Sequence, residues 1–322
     1  MEADADKLVS IIVVTMGVKN YLRDCLDSLK TQSYPNVEVI IIDNSLNKHF
    51  CEKAQGWFPS AKIYSPKQNL YYCDSLNKGI QLSNGEFILC LNDDLVLDKT
   101  YIEEALKGFS IKDNIGMVSG KILRLDSLTL DSAGLFLTPW RTARERGYGQ
   151  KNRGQFEKNE AIFGVSGCAA FYSKKMLAEI KKGGNYFNPA FRMFYEDLDI
   201  SWRANNRGWH AYYVPSAKAF HLRGGSFRPD PGIGKFAGRR YLNDELHADL
   251  IKNRYLTILR NETVLGLLVH FLPIVLYDLY AWAFVLFFRP KVIKVFLNKL
   301  KNIPRQPTRH KKWYLSLTTP KI

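Results

Sequence analysis

Three short and almost continuously apolar segments in the first hundred residues constrain the fold most strongly. They occupy residues 8–14, 37–42 and 87–91, and the last two end in polar residues. Apolar strands of this kind are typically buried on both faces of a sheet. Helix-like segments separate them, including residues 20–32, where leucines recur at helical spacing. The alternation predicts an α/β fold with a mainly parallel central sheet flanked by helices.

Polar clusters follow two of these segments, at Asp43 and at Asp94. In open α/β sheets, ligands bind beyond the carboxyl ends of the strands, so both clusters are predicted at one edge of the sheet. Asn92 and Asp94 point the same way in an extended chain. Hard oxygen ligands at this spacing suit Mg²⁺ or Mn²⁺ shared with a substrate diphosphate. The alternative is an ordinary turn, because Asn-Asp-Asp is common in turns.

Three carboxylates crowd into residues 196–199, directly after an aromatic run. Carboxylates this close repel one another, so a fold tolerates them mainly where negative charge or a proton acceptor is needed. Glu196 and Asp197 are candidates for a general base that takes the proton from an attacking hydroxyl. Asp199 and Arg203 are four residues apart and can form an ion pair on a helix. The alternative is a solvated helix start, where acidic residues are favoured.

Asp43 and His221 each allow a structural and a functional interpretation. Asp43 ends a predicted strand, where it could form a turn or accept the ring N–H of a pyrimidine base. His221 follows a short predicted strand at 211–214 and precedes the glycine-rich segment 224–238, which is expected to be a mobile loop. A single histidine is more often structural than a ligand, but this position is compatible with metal binding.

Composition and motifs argue against several classes of protein. The five cysteines form no CxxC pair, which indicates buried thiols in a reducing compartment. No GxxxxGK[ST] element is present, so P-loop phosphoryl transfer has no support. A nucleotidyltransferase should carry a glycine-rich phosphate loop near its first strand, and the sequence has none. Nucleic-acid binding is not predicted, because the basic residues lack an interleaved aromatic platform.

The C-terminal part of the chain combines an apolar segment with a basic tail. Residues 264–288 are about long enough to span a bilayer, but Pro273 interrupts them and they contain His270 and Asp278. Residues 289–322 carry ten Lys or Arg and no Asp or Glu, which accounts for ten of the net charge of +15. This combination favours an anionic, cytoplasm-facing membrane surface. One or two helices lying in the membrane interface are predicted, with a true span and an apolar oligomer contact as alternatives.

Taken in order, these segments resemble the family 2 glycosyltransferases of GT-A fold. The matching pieces lie within residues 8–225, and they are 10–15, 39–45, Asn69, 77–79, 91–94, Gly167, 195–197 and His221. Details of the later part resemble the bacterial rhamnosyltransferase branch, at residues 131–134, 166–169 and 196–203. The resemblance implies an inverting transfer of a sugar from a nucleotide sugar.

The resemblance also implies a division of labour at the site. Asp197 would be the catalytic base, with Glu196 as the second candidate. Asp94 would carry the metal-bound diphosphate, and His221 would be a further ligand of the metal or diphosphate. Asn92 stands where many relatives have Asp, so the affinity for Mg²⁺ or Mn²⁺ is expected to rest mainly on Asp94.

The same resemblance implies a set of residues that bind the nucleotide sugar. Asp43 would contact the pyrimidine base. The other members of the set are Thr15, Asn69, Asn77, Asp93, Asp94 and Arg203. Arg203 is also expected to order the acidic run. Residues 15–19 depart from the start that is usual in the family, which leaves the nucleotide contacts there open.

These features predict a GT-A domain at residues 1–240 and a helical, membrane-associating region at 241–322. The expected function is transfer of L-rhamnose from dTDP-rhamnose to a saccharide or polyprenyl-diphosphate-linked acceptor in cell-surface polysaccharide synthesis. The alternatives are transfer of galactose or glucose from a UDP-sugar, and a non-catalytic protein at the membrane surface. The expected location is the cytoplasmic face of the plasma membrane, as a peripheral or monotopic protein. A homo-oligomer is left open.

Overall fold

A computed structural model of the chain describes residues 7–18, 21–222 and 242–301. The described residues form twelve strands, which are β1 (Val9–Thr15), β2 (Val37–Asp43), β3 (Lys62–Tyr64), β4 (Phe87–Asn92), β5 (Leu95–Leu97), β6 (Ile115–Arg124), β7 (Leu130–Ser132), β8 (Leu135–Leu137), β9 (Ala143–Glu145), β10 (Glu160–Ile162), β11 (Ala169–Ser173) and β12 (His210–His221). The α-helices of the same ranges are α1 (Tyr21–Lys30), α2 (Lys48–Trp57), α3 (Tyr71–Leu82), α4 (Tyr101–Phe109), α5 (Lys174–Ile180), α6 (Glu196–Asn205), α7 (Asp244–Asn261), α8 (Val264–Val269), α9 (Phe271–Phe288) and α10 (Lys291–Lys301). A short 3₁₀ helix covers Pro189–Phe191.

Most of the strands form a single sheet, in the order β3, β2, β1, β4, β11, β6, β12, β10, with β5 beside β12 and β7 beside β6. Strands β1 to β4 are parallel, as the alternation of strands and helices predicts. β11 runs antiparallel to both β4 and β6, so the second half of the sheet is mixed. The predicted α/β fold with helices around a central sheet is confirmed.

The polar strand ends meet at one edge of the sheet. In the parallel register, Thr15 pairs with Asp43 and Val14 pairs with Asn92. β11 starts at this edge, because Ala169 pairs with Leu91 near the end of β4. The residues just before β11 therefore lie beside the ends of the parallel strands, which confirms the predicted common edge and adds a third segment to it.

Alternate residues of the strands pack into two apolar layers, one on each face of the sheet. In β1, Ile11 and Val13 belong to the layer with helices α1 and α4. Ile12 and Val14 belong to the layer with α3, α5 and α6. All five cysteines are free thiols, and only Cys51 is not buried, in agreement with the sequence prediction.

The acidic run forms the first turn of α6. It is therefore a helix start, but the solvated helix start of the alternative interpretation is wrong, because Glu196 and Asp199 are buried. Helix α7 begins after Asn243, whose side chain accepts a hydrogen bond from the N–H of Leu246. The strand predicted at 211–214 is longer than expected and reaches His221.

The apolar C-terminal segment forms two helices, α8 and α9, and one or two helices were predicted here. The predicted interruption at Pro273 is wrong, because the break between the helices lies at His270. Proline lacks a backbone N–H and is tolerated in the first turn of a helix, which is where Pro273 lies. By length and composition alone, α9 could cross a membrane, and most of its surface is not covered by protein. The predicted glycine-rich loop and residues 302–322 of the basic tail lie outside the described residues.

Candidate active site

The carboxyl edge of the sheet carries hydrogen-bonded polar side chains. Thr15, at the end of β1, donates a hydrogen bond from Oγ1 to Asp93 Oδ2 over 2.6 Å. Burial raises the pKa of Asp93 to about 6, and the neighbouring charge of Asp94 adds to the rise, while the Thr15 bond opposes it. Thr15 and Asp93, both predicted to bind the nucleotide sugar, are thus in direct contact.

Asp43, at the end of β2, is only 1% exposed. Its Oδ1 accepts the N–H of Ser45 over 2.9 Å, and its Oδ2 accepts the hydroxyl of Ser65 over 3.3 Å. The Ser45 contact is the local bond that the turn interpretation predicts. Recognition of a base by Asp43 stays a prediction.

His221 lies between two aspartates. Its Nε2 is 3.2 Å from Asp94 Oδ1, and its Nδ1 is 2.8 Å from Asp131 Oδ2. Metal-binding histidines usually have their second ring nitrogen bonded to a carboxylate, which fixes the ring and increases its basicity. Asp131 occupies that position for His221, so the ring is held with Nε2 turned toward Asp94.

This donor set fits a hard divalent cation. Asp94 offers a carboxylate oxygen and His221 an imidazole nitrogen, which are ordinary ligands for Mn²⁺. Burial opposes a positive charge on His221, but the neighbouring Cys168 and the bonds to Asp131 and Asp94 raise the pKa of the ring well above its usual value. The surroundings of Nε2 therefore stabilise positive charge.

A second set of ligand atoms overlaps the first. Atoms of Asp131, Cys168 and His221 lie within 4.8 Å of one another. Asp131 is already bonded to Nδ1 of the ring, and binding of the cation by Asp94 and His221 stays a prediction. A cysteine sulfur would also suit softer metals than Mg²⁺ or Mn²⁺.

Asn92 is held by a residue that the sequence analysis did not single out. The Tyr72 hydroxyl lies 2.8 Å from Asn92 Oδ1 and 2.9 Å from the carbonyl of Gly167. Oδ1 is the Asn92 atom that would bind a metal, and here it competes with the Gly167 carbonyl for the single tyrosine proton. The predicted role of Asn92 as a ligand stays untested.

Asp197 faces the segment before β11. Its Oδ2 accepts the backbone N–H of Gly167 over 3.2 Å, and its Oδ1 accepts the N–H of Leu198 over 2.7 Å. A Cβ on Gly167 would lie 3.3 Å from this Oδ2 and 3.4 Å from Glu196 Oε1, so only glycine allows this approach without displacement. The side chain is partly exposed, and burial raises its pKa above the ordinary value although the two N–H bonds oppose the rise.

Glu196 differs from its neighbour in surroundings. It is buried, and its Oε2 has no hydrogen-bond partner among the described residues. Burial raises its pKa to about 8, and the charge on Asp197 contributes to the rise. Burial of both carboxyls and the charge of Asp197 beside Glu196 therefore favour a proton held within this pair.

Glu145 is a third carboxylate of this group, and the sequence analysis missed it. It accepts hydrogen bonds from the hydroxyls of Ser132 and Ser166. Burial raises its pKa to about 7, and the charge of Asp197 adds to the rise. Glu145 lies inside a stretch that reads as polar and basic, so only the tertiary fold reveals its position.

The loop before α6 is strained. Arg192, Phe194 and Tyr195 have φ angles of 62°, 70° and 68°. Left-handed backbone at a non-glycine residue costs on the order of 1–3 kcal/mol and persists only where the surrounding structure imposes it. The strain lies immediately before Glu196 and Asp197.

Asp199 and Arg203 form the predicted ion pair, with Arg203 Nε 2.9 Å from Asp199 Oδ2. The other two guanidinium nitrogens donate to the carbonyls of Ile180 and Tyr186, each over 2.7 Å. Arg203 thus uses its donors within the protein and orders the acidic run, as the sequence analysis expected. Its predicted contact with the nucleotide sugar stays untested.

The two remaining predicted residues lie near α3. Asn77 is buried and binds the backbone of Tyr186 and Phe187 through both its amide atoms. Asn69 accepts the N–H of Tyr71 over 2.7 Å and is a partly exposed residue beside Met16. Asn69 thus keeps some exposure, whereas Asn77 fastens two segments of the core.

The raised pKa of Glu196 predicts a pH-dependent stability. The folded protein keeps this proton up to about pH 8, whereas the unfolded chain loses it near pH 4.5. Its contribution to the free energy of unfolding is therefore full below the lower value and is lost as the pH rises to the upper one. Glu196→Gln should remove this dependence, so the variant should gain on the wild type by a few kcal/mol between pH 5 and pH 8.

Urea denaturation at pH 5, 6.5 and 8 measures this gain. Glu86→Gln, at an exposed position just before β4, is the matched control and should follow the wild type. Parallel curves for wild type and Glu196→Gln would show that Glu196 is ionised throughout.

The fold is similar to that of a solved glycosyltransferase. The mannosyltransferase from Pyrobaculum calidifontis, in complex with GDP-Man and Mn²⁺, superposes with a TM-score of 0.54 at 16% identity. The match covers 91% of this chain and 74% of that one. The fold is that of the GT-A glycosyltransferases.

A sequence model of Glycosyl transferase family 2 matches residues 10–181, just over half of the chain. The chain belongs to glycosyl transferase family 2. N-acetylglucosaminyl-diphospho-decaprenol L-rhamnosyltransferase from Mycobacterium tuberculosis is 24% identical over 253 residues, 70% of this chain and 79% of that protein. Glycosyltransferase GlyA from Streptococcus pneumoniae is 27% identical over 109 residues, 32% of this chain. The match spans only 15% of the pneumococcal protein.

Proposed function

We propose that the protein is an inverting glycosyltransferase that moves a sugar from a nucleoside diphosphate sugar to a hydroxyl of an acceptor. The observation that carries the proposal is the placement of Asp197. Asp197 is a partly exposed residue whose carboxylate is held by Gly167, and the next residue, Cys168, lies against His221. The candidate base and the candidate diphosphate-binding group thus contact adjacent residues of one short segment.

In the proposed reaction, Asp197 accepts the proton of the acceptor hydroxyl as the oxygen attacks the anomeric carbon of the donor. The bond between that carbon and the diphosphate oxygen breaks, and the nucleoside diphosphate leaves with the electron pair. Attack from the face opposite the leaving group inverts the configuration. The N–H groups of Gly167 and Leu198 hold the carboxylate in place before the proton is transferred.

Asp94 and His221 are the residues that would hold Mg²⁺ or Mn²⁺. A divalent cation here supplies positive charge to the diphosphate oxygens. Asp131 keeps the His221 ring oriented, and Thr15 fixes Asp93 beside Asp94. The carboxylates of Asp94 and Asp131 both lie close to His221, and Asp93 adds a third carboxylate beside Asp94. A group of carboxylates binds a cation more strongly than a single carboxylate does.

For the donor we propose dTDP-rhamnose. The support is the mycobacterial rhamnosyltransferase, whose similarity extends over 70% of this chain and includes the region of the acidic run. The alternative is a UDP-hexose such as UDP-glucose or UDP-galactose. The P. calidifontis protein of the same fold was solved with GDP-Man, so GDP-mannose belongs in the comparison.

Release of nucleoside diphosphate from a panel of these donors, each with EDTA, Mg²⁺ or Mn²⁺, tests the proposal. We expect release from one donor class, dependent on the cation. No release from any donor under any condition would contradict the enzymatic proposal and favour a non-catalytic protein at the membrane surface. Preference for a UDP-hexose would replace the rhamnose assignment and leave the site assignment standing.

For the acceptor we propose a polyprenyl-diphosphate-linked saccharide at the cytoplasmic face of the membrane. The support is the surface of α8 and α9, which exposes large apolar side chains, among them Leu265, Leu268, Leu272, Leu279, Phe287 and Phe288. The two polar residues inside this segment turn toward the protein instead. Asp278 pairs with Arg254 of α7, and His270 Nδ1 lies 2.9 Å from Arg141. One apolar face thus remains for a lipid surface, as an interfacial helix requires.

The apolar face predicts binding to anionic vesicles. Leu272 and Leu279 are both 64% exposed and lie seven residues apart, on the same side of α9. The double variant Leu272→Ser, Leu279→Ser should reduce flotation with phosphatidylglycerol vesicles at least about tenfold, because each leucine contributes roughly 1.5–3 kcal/mol on burial.

The matched control removes two leucines of similar exposure elsewhere. Leu125→Ser, Leu128→Ser alters the turn between β6 and β7 and should float like the wild type. If both double variants float equally, the membrane proposal is wrong. If the α9 variant instead changes the oligomeric state in vesicle-free buffer, the apolar face is a contact between copies of the chain.

A further inference from the structure

We infer that Asn253 of α7 is a positioning residue for Asp197, so that the C-terminal helical region forms part of the active site. The inference rests on the proposed role of Asp197 as the base. Its basis is a set of contacts from α7 to both sides of the carboxylate. One set holds the chain before Asp197, and the other holds the helix after it.

The Asn253 amide binds the strained loop directly. Its Nδ2 donates to the carbonyls of Phe191, Met193 and Phe194 over 2.9, 2.7 and 2.9 Å. An amide nitrogen carries two hydrogens, so at least one is shared between two of these carbonyls. The three acceptors span the left-handed backbone that leads into α6.

The orientation of this amide is fixed by what surrounds it. Asn253 is fully buried, and its Oδ1 has no hydrogen-bond partner among the described residues. Turning the amide over would place Oδ1 against three carbonyl oxygens, which is electrostatically unfavourable. A buried acceptor without a partner costs free energy. The three hydrogen bonds that Nδ2 donates to the loop offset this cost and explain the orientation of the amide.

Lys252 extends the same contact by one residue. Its Nζ donates to the carbonyl of Ala190 over 2.7 Å and to Asp249 Oδ1 over 2.8 Å. Asp249 is also bonded to Lys299 of α10 over 2.8 Å. The loop is thereby tied through α7 to the last described helix.

The end of α7 holds the chain after Asp197. Asn261 Nδ2 donates to Asp199 Oδ1 over 2.8 Å, and Arg260 Nε lies 3.2 Å from the same oxygen. Asp199 is fully buried, two residues beyond Asp197 on α6. Asp197 is therefore fixed between two anchors that both come from α7.

The test compares Asn253→Asp with Thr257→Val in the full chain. Asn253→Asp keeps the shape and places a carboxylate where three carbonyls need a donor. Thr257 is buried one turn further along α7, and its hydroxyl donates to the carbonyl of Asn253 without touching the loop. Thr257→Val therefore removes a buried hydrogen bond of α7 and leaves the loop contacts in place.

For Asn253→Asp we expect kcat for sugar transfer to fall about 100-fold, the effect of a misplacement of roughly 1 Å, while the donor KM stays within about twofold. The acidic limb of the kcat profile should move to higher pH, because Asp197 loses its aligned N–H donors. Thr257→Val should show the wild-type kcat and profile. Asn253→Ala carries the same expectation without the added charge, should the carboxylate prevent folding.

Amide hydrogen exchange provides a readout that does not depend on turnover. Peptides covering residues 189–199 should exchange at least tenfold faster in Asn253→Asp than in the wild type, with β1 and β2 unchanged. Unchanged exchange in this loop overturns the inference whatever the activity. Unchanged kcat with faster exchange overturns it as well, because the loop would then not position the base. Absence of turnover by the wild type contradicts the proposed function instead, and exchange still decides the contact.

Discussion

Replacing Asp197 by asparagine is expected to lower kcat for sugar transfer by about 10³-fold, within the range that a positioned general base contributes. Asparagine has nearly the same shape, but its single amide oxygen can accept only one of the two N–H groups, of Gly167 and Leu198, that hold the carboxylate. The donor KM should stay close to that of the wild type, because the change removes the proton acceptor and one local hydrogen bond and leaves the proposed nucleotide-binding residues unaltered. The measurement is steady-state release of nucleoside diphosphate in the presence of acceptor.

Asp113→Asn is the matched control, because it makes the same chemical change away from the site. Asp113 is exposed in the turn after α4. The proposal also requires the Asp197 variant to unfold at a temperature close to that of the wild type. A kcat within threefold of the wild type would remove Asp197 from the reaction. The buried Glu196 would then be the remaining candidate base.

Replacing Asp94 by asparagine is expected to lower kcat/KM by about 10²–10³-fold, a loss typical of one electrostatic group at a transition state. The loss should be partly recovered at high Mn²⁺ concentration, because a neutral amide oxygen is a weaker ligand than a carboxylate. Titrating activity against Mn²⁺ at saturating donor measures both effects.

Asn92→Ala provides the contrast at the same strand end. Asn92 Oδ1 accepts the Tyr72 hydroxyl, so this variant should change the half-saturating Mn²⁺ concentration much less than Asp94→Asn does. Equal shifts for the two variants would show that Asn92 is a ligand in its own right. A Mn²⁺-independent wild type would remove the metal assignment from both residues.

The sequence predicted best the features that depend on the spacing of residues within one strand or helix. Continuous apolar strands ending in polar residues define a sheet edge, because parallel strands all end on the same side. The pairing of Asp199 with Arg203 follows from the spacing of four residues on a helix. The position of the break at His270 was missed because a proline in the first helical turn loses no hydrogen bond.

The features that the sequence could not predict depend on distant segments. Asp131 reaches His221 across 90 positions of sequence, and Tyr72 reaches Gly167 across 95. Nothing in the local pattern of Glu145 marks it as a neighbour of Asp197, because its contacts come from Ser132 and Ser166. The insertion of β11 beside β4 places these segments together, and this pairing is visible only in the folded chain.

The ion pair between Asp278 and Arg254 has a consequence for how the enzyme would sit on a lipid surface. A helix that is apolar on nearly all sides could otherwise roll about its axis or sink toward the acyl chains at little cost. Moving Asp278 into hydrocarbon without its partner costs roughly 2.5–3.5 kcal/mol, so the pair sets both the roll angle and the depth of α9. On the proposed lipid surface, this would fix the height of Asp197 above the headgroups. A lipid-linked acceptor would meet Asp197 only when its saccharide is long enough to bridge that height.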